Sequence, residues 1–397
     1  MFRQSRCSPG RRLNYIEAAT GLFHLEIQVL AMLFRTHLGD EHDNCSLARW
    51  VIELNRDKNK LWNRQRNIVK DFRSCLDFWD IVVDGYLIAT LASYVGFNSL
   101  TEFRKNLAEK SDVSIRLVDK IKAFAGDLAV FGRVNTIRKT NPVAQRDQTY
   151  ENHFLFLQHA LTLRNFTLAM RHGDPGRVRV SLSYFTVWFQ ASKQFNYAME
   201  CLHLTACLTK LWSDELVKFW MQNCLINPSG KKEGWMACDY LGEYVVREVK
   251  NMMPFNINEA TGNTLRNKYS PQIMVFRDTR KKMQEETDAL TFGFHSSTVK
   301  THVDVERVVK RLMNEQFSKM QLNRPTGDDP ERGDLHIAGI EELGKTKRIA
   351  EYIEKVQTQQ GFLNVEWDEE TEEIEVEPAD SVFLVEDDDD DEGDQWL

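Results

Sequence analysis

The chain has 397 residues, long enough to bury a sizeable core, and 42% of them are apolar, with 23 Phe and 9 Trp, which excludes an intrinsically disordered protein. Its net charge of −8 averages two unlike parts: residues 364–397 carry 17 acidic and no basic side chains, leaving 42 acidic against 51 basic in the rest, a balance of +9. Seven scattered cysteines with no C-x-x-C pair argue for free thiols in a reducing compartment, and the longest apolar stretch, GLFHLEIQVLAMLF, is 14 residues with His, Glu and Gln inside it, too short to span a bilayer.

The N-terminal MFRQSRCSPGRRLN is basic but leads into no uninterrupted apolar run, so residues 1–19 are expected to be a flexible basic N-terminus and not a signal peptide. Phe23, Ile27, Leu30 and Phe34 then step by helical spacing, and Leu22, Leu25, Val29 and Leu33 make a second stripe. A helix apolar on most sides is a buried one, and Gly39 ends it. A second helical region starts near Ser46, and a third is predicted over roughly 65–95 with Ile68, Phe72, Leu76 and Trp79 on one face. Ser99 and Glu102 in SLTE form a capping box. Residues 126–148 are polar, contain Pro142 and are expected to be a loop.

A strongly apolar helix of about twenty residues follows and stops at Gly173, with Asp174 and Pro175 placed as N-cap and first turn of the next. Further helices include one opened by Ser213 with Asp214 and Glu215 in its first turn. Pro254 and Pro271 mark breaks, an amphipathic helix is predicted near 303–320, and a short one around 345–358. From 364 the acidic density predicts disorder. The expected architecture is therefore mainly α: a multi-helix body over 20–322, a linker over 323–363 and a disordered acidic tail over 364–397. Such a chain is expected to be soluble and intracellular, with no membrane role and no signal that decides for or against the nucleus.

Residues 227–249, NPSGKKEGWMACDYLGEYVVREV, invite a phosphate-loop interpretation through their Gly-Lys pair. A phosphate loop needs a glycine where Leu225 stands and a hydroxyl where Lys232 stands, so that interpretation fails. Asp239 and Glu243 fall on one line of a helix with Met236, Ala237, Tyr240 and Leu241 among its apolar positions. Arg247 continues the line, and a Glu243–Arg247 pair of this kind is worth about 0.2–0.5 kcal/mol. A surface helix explains the two carboxylates better than a metal or general-base pair does, and Trp235 reads as a core anchor. Asp174 is accounted for as an N-cap worth about 1 kcal/mol, and His172 as a cation at a helix C-terminus. Cys201, His203 and Cys207 point in different directions on one helix and read as core, as do His24 and Glu26 at the start of the buried first helix. Lys58, Lys60, Arg64, Arg66, Lys70 and Arg73, interleaved with aromatics over 54–73, form the most nucleic-acid-like patch. A solvated helix face explains those cations equally well. The acidic tail would compete with phosphates for them, or serve solubility.

Five stretches, GLFHLEIQVL, ENHFLFLQHALTLRNFTLAMRHGDPGRV, FNYAMECLHL, QNCLINPSGKKEGWMACDYLGEYV and YSPQIMVFRDTRKKM, occur in this order over roughly residues 20–320. In letters, order and spacing they resemble a largely fungal family of uncharacterised proteins, domain of unknown function 6589. The matching positions are Glu151 and Asn152, then Gly173, Asp174, Gly176 and Arg177, then Asn196, Tyr197 and Glu200, and finally Asn227, Pro228, Ser229, Gly230, Gly234, Trp235, Asp239 and Glu243. Tyr244 stands where family members often carry histidine. The resemblance implies no established activity.

At fold level the layout is similar to a ribonuclease-H-like transposase interrupted by helices, which would make the body a remnant of an α/β core. That analogy implies Glu151 as a metal-binding acid for Mg or Mn, joined by Asp239 or Asp174, because two-metal chemistry gathers carboxylates around ions about 3.5–4 Å apart. Longer members carry a Gly-Asp-Gln motif upstream that this chain lacks, so a truncated, catalytically incomplete member is expected, and no cofactor. Three functions follow: a mobile-element-derived, non-catalytic protein that binds DNA; a helical protein-interaction scaffold, its acidic tail facing a protein partner; and a metal-dependent nuclease-like enzyme with Glu151, Asp174, Asp239 and Glu243 as its candidate acids. The first is the expectation.

Overall fold

The computed structural model describes residues 21–57, 61–63, 68–69, 71–108, 147–228, 230–243, 301–321, 330–347 and 350–352, with residues 267, 272, 275 and 324. In chain order its elements are α1 (Leu22–His37), α2 (Leu47–Glu53), the hairpin β1–β2 (Trp62–Asn63 and Ile68–Val69), α3 (Phe72–Val95) and α4 (Leu100–Ala108). Next come α5 (Gln148–His172), α6 (Pro175–Ala191), α7 (Phe195–Ala206) and a π-helical turn (Cys207–Leu211). They are followed by α8 (Asp214–Asn223), the hairpin β3–β4 (Leu225–Ile226 and Met236–Ala237), α9 (Thr301–Asn314) and α10 (Leu335–Lys345). The protein is mainly helical, as expected. Strands among the described residues are confined to the two short antiparallel hairpins, so the α/β core implied by the transposase analogy is not found there. No helix among them is long and apolar enough to cross a membrane.

The centre is α1. Leu25, Val29, Leu30, Met32, Leu33 and Phe34 are all fully buried, because apolar side chains occupy nearly every face of this helix. α3 and α5 enclose it through aromatic contacts. Phe34 meets Phe78 and Trp79 at ring separations of 6.1 and 5.8 Å, and Phe156 of α5 meets Trp79 and Tyr86 at 5.2 and 4.6 Å. Each such side chain contributes about 1.5–3 kcal/mol by leaving water. From this centre the fold extends both ways: α9 packs on α3, while α6 packs on α5 and carries α7 and α10 on its other sides.

Helix ends follow local signals. Ser46, Ser99, Asp174 and Ser213 accept from the backbone N–H three residues on, and Gly173 closes α5 in the left-handed conformation at φ 68°. Two elements depart from expectation. α3 starts at Phe72, not near 65, because the Asp71 carboxylate accepts from Ser74 N–H at 3.1 Å and fixes the N-terminus there. Ile68 therefore lies in β2, opposite Asn63, and not on the helical face. α10 was not expected, and Asp334 caps it through the N–H groups of His336 and Ile337 at 2.8 and 3.3 Å; within the short helix expected around 345–358, the described residues 350–352 are helical. The expected flexible N-terminus (1–19), most of the 126–148 loop, the Pro254 and Pro271 breaks, the 269–283 motif and the acidic tail lie outside the described residues.

α9 and α10 complete the core. Val308 of α9 fills the space beside Gly85 of α3, and Arg56 meets Asp304 at 2.7 Å. Arg311 pairs with Glu53 and lies 5.4 Å over the Trp50 ring. On the other side Gly339 of α10 sits against the Val187 carbonyl of α6. Alanine is the better helix former by about 1 kcal/mol, but a methyl at this position meets rigid backbone, and such overpacking costs about 1–3 kcal/mol. Gly339→Ala is expected to lower the urea midpoint, whereas Gly344→Ala, in the same helix and facing open space, is expected to raise it.

Candidate functional site at the start of the central helix

The first turn of a buried helix exposes backbone N–H groups that need acceptors. Gly21, at the N-cap of α1, has no side chain to supply one. The acceptor is Asp239, at the start of a helix that begins at residue 238. Its carboxylate accepts from Phe23 N–H at 3.0 and 3.1 Å, from His24 N–H at 3.2 Å and from the His24 ring Nδ1 at 3.1 Å. Gly21 is what lets it approach, since a Cβ there would collide with the Asp239 carboxylate. β3 and β4 deliver the acid, pairing Leu225 with Ala237 and Ile226 with Met236. Met236 and Ala237 are thus strand residues, contrary to the helix expected through them, because the 227–235 turn folds them back onto 225–226. Tyr240 locks the junction by packing on Phe23 at 4.3 Å.

His24 faces carboxylates at both ring nitrogens, Asp239 at 3.1 Å and Glu243 at 3.4 Å. The hydrogen bond to Asp239 raises its pKa, burial opposes this, and the charges of Asp239, Glu243 and Glu200 of α7 add to the rise. Burial pushes Asp239 upward in turn, but the bonds from His24 and from the Phe23 and His24 amides outweigh it and hold the carboxyl below its usual range. Neither ring nitrogen is directed outward to take a proton from a substrate, so the imidazole acts as a charged anchor. Glu243 thus meets His24; its expected partner Arg247 lies outside the described residues.

Other motif positions adjoin this junction. The Trp235 ring covers Gly173, where a Cβ would come within 2.6 Å of it. Glu233 stands 3.8 Å from His172. Asp174 caps α6 by accepting Arg177 N–H at 3.0 Å, and the Arg177 guanidinium donates to Asn165 Oδ1 at 3.1 and 2.6 Å. The turn that carries Pro228, Gly230 and the exposed Lys231 and Lys232 is closed by Asn227 Nδ2 donating to the Lys231 carbonyl at 2.9 Å. It is a hairpin turn with no helix behind its Gly-Lys pair.

Glu151 and Asn152 are elsewhere, in the first turns of α5. With a rise of 1.5 Å per residue, that is about 30 Å from Gly173 and Asp174. Glu151 is 1% exposed, and Asn152 donates to the Pro330 carbonyl at 3.0 Å while accepting from Arg332 N–H at 3.2 Å. The structure brings Asp239 and Glu243 together on His24 and does not bring Glu151 to them. Among the described residues no three His, Cys, Asp or Glu side chains are grouped to hold a metal. His203 and Cys207 do approach to 3.6 Å, one helical turn apart, whereas Cys201 at i−2 from His203 faces another way. Of the basic patch, Arg73 is exposed and pairs with Asp77 at 3.3 Å, and Lys58, Lys60, Arg64, Arg66 and Lys70 lie outside the described residues.

Several buried polar groups carry little sequence signal. Glu26, assigned to the core, accepts from the Thr167 hydroxyl at 2.6 Å, and burial raises its pKa to about 7 against the opposing effects of Thr167 and Arg171. His37 and His159 hydrogen-bond at 2.8 Å deep in the core, where burial and then mutual repulsion keep His37 neutral. His153 bonds Thr90 at 2.8 Å and stacks on Tyr86 at 4.7 Å, its pKa pushed down by burial to about 3. The only sequence signal for these was a histidine set inside an apolar helical run.

Fold and site together define a mainly helical protein whose motif residues gather at helix ends. The chain belongs to the Family of unknown function (DUF6589), whose model matches residues 1–293. No curated protein and no solved structure matches it. α9 and α10 lie beyond the matched residues yet pack onto them.

Asp239→Ala is expected to cost about 1 kcal/mol or more, the worth of an N-cap, while Asp239→Asn keeps the cap and loses only the charge. The wild-type advantage over Asp239→Asn should be present below pH 6.5 and fade as pH rises through the elevated His24 value. On the acid side it should be lost as pH falls through the depressed Asp239 value, below 3.8. Urea titrations across pH read both limits. Glu26 has the opposite sign for a carboxylate, its stabilisation being complete below 4.5 and eroding as pH rises through about 7. Glu26→Gln should therefore gain on the wild type between about pH 5 and about pH 8 in the same titration.

Proposed function

We propose that the protein is a non-catalytic helical module that binds nucleic acid, with DNA as the ligand, and that it derives from a mobile element. The observation that carries the non-catalytic part is the use to which the motif residues are put. Asp239 caps α1, Asp174 caps α6, Gly173 receives Trp235, Asn152 ties α5 to residues 330–332, and both His24 ring nitrogens are taken by carboxylates. A nuclease built on Glu151 with Asp239 or Asp174 would need them side by side, whereas α5 holds Glu151 about 30 Å from Asp174 and Asp239 is bound to the first turn of α1. Support for the ligand comes from the +9 balance of the body and the basic, aromatic-interleaved stretch 54–73. Support for the origin is the order and spacing of the motif blocks. A protein-interaction role has one observation of its own: Phe219 on α8 is 63% exposed, with Leu211 nearby in sequence at 39%.

Fluorescence anisotropy with duplex DNA tests the proposal. Six phosphate contacts predict a loss of about 10³ in affinity between about 50 and 200 mM salt. Replacing Lys58, Lys60, Arg64, Arg66, Lys70 and Arg73 with alanine should weaken binding and flatten that dependence. Removing residues 364–397 should tighten it if the acidic tail competes for the same surface. Absence of binding at low salt, with and without the tail, would leave the scaffold as the better account.

A further inference from the structure

The hairpin that delivers Asp239 also aligns two thiols. At the base of the β3–β4 hairpin, one residue outside the Leu225–Ala237 pair, the Cys238 N–H donates to the Cys224 carbonyl at 3.1 Å, while the Cys224 N–H turns back to the Trp220 carbonyl at 2.9 Å. Backbones joined by one such bond run about 5 Å apart, so this contact sets Cys224, at the end of α8, beside Cys238, at the start of the next helix. A disulfide needs a Cα separation of about 4.4–6.8 Å. Both cysteines are free thiols, Cys238 exposed and Cys224 half-buried, whereas Cys45, Cys75, Cys201 and Cys207 are buried. Burial raises the Cys224 thiol to about 12, and the neighbouring Cys238 adds to that rise, which places the two sulfurs within each other's field.

We propose that Cys224 and Cys238 form a reversible dithiol–disulfide site, oxidised by a low-molecular-weight disulfide of the glutathione type. The exposed Cys238 thiolate attacks one sulfur of that disulfide, forming a mixed disulfide and releasing the first small thiolate. Cys224 then gives up its proton and attacks the Cys238 sulfur, closing the protein disulfide and releasing the second small thiol. Two protein thiols are oxidised, one small disulfide is reduced to two thiols, and no other electron acceptor is needed. The high pKa of Cys224 makes its attack the slow step. The new bond closes the 227–235 turn at its base, one residue before Asp239, so oxidation fastens the cap of α1 in place.

The test uses the full chain with glutathione disulfide, followed by alkylation and peptide mass spectrometry. The wild type should lose two of its seven thiols and yield a peptide pair linked through 224 and 238. Cys224→Ser should stop at a glutathione adduct on Cys238, and Cys238→Ser should give neither product. Hydrogen exchange at the Phe23 and His24 amides should slow on oxidation of the wild type and stay unchanged for Cys224→Ser. The proposal is overturned if the wild type also stops at the Cys238 adduct, if Cys238 bonds to another cysteine, or if both thiols stay reduced.

Discussion

A helix buried on nearly every side cannot leave its terminal N–H and C=O groups unpaired, and this constraint on α1 organises the rest of the protein. Each such group left unpaired would cost about 1–3 kcal/mol. At the N-terminus the Asp239 carboxylate takes the Phe23 and His24 amides. Beyond the C-terminus the Leu38 carbonyl accepts the Ala48 N–H at 2.9 Å, which fixes where α2 begins. The β3–β4 hairpin is therefore more than a connection. It carries one acid across more than two hundred residues of sequence to the place where the central helix needs it.

α5, the other long helix of the core, meets the same requirement with different means. Asp147 caps its first turn through Tyr150 N–H and also receives Arg324 at 3.1 Å from both carboxylate oxygens, a buried pair that, with the Gln321 N–H, draws Gln321 and Arg324 onto the helix start. At its far end Gly173 turns the chain and offers a surface without a side chain, which Trp235 covers. The segment from β3 to residue 243 thus closes α1 and α5 together. Segments beyond the family match serve the same two helices from the opposite end, with Arg332 on Asp43 at 2.6 Å and Pro330 on Asn152.

These long-range closures mark the limit of what the sequence made legible. Caps at Ser46, Ser99, Asp174 and Ser213 could be read because acceptor and donor are three residues apart and propensity acts locally. The helical period of α1 was legible for the same reason. Asp239 was legible only as half of an i,i+4 pair, because nothing in a single sequence ties it to Phe23. The 65–95 helix failed differently. Ile68, Phe72, Leu76 and Trp79 fit a helical stripe, but Asp71 and Ser74 already carried a cap signal that places the start at Phe72. Periodicity over four positions does not outweigh a cap, because the cap decides where a helix can begin.

The two acids beside α1 also explain why this junction is a fastening and not a reaction centre. Burial raises the Glu26 pKa and the Asp239 charge adds to that rise, so the donors around each acid decide how the two differ. Three donors converge on Asp239, two amides and an imidazolium, and it stays ionised. Glu26 has one hydroxyl donor and complete burial, and it holds its proton up to about pH 7. The charged groups at the junction, the Asp239 and Glu243 carboxylates with the His24 imidazole between them, are taken up by each other and by the backbone. Proton-transfer chemistry needs a group whose preferred partner is the substrate, and here every preferred partner is internal.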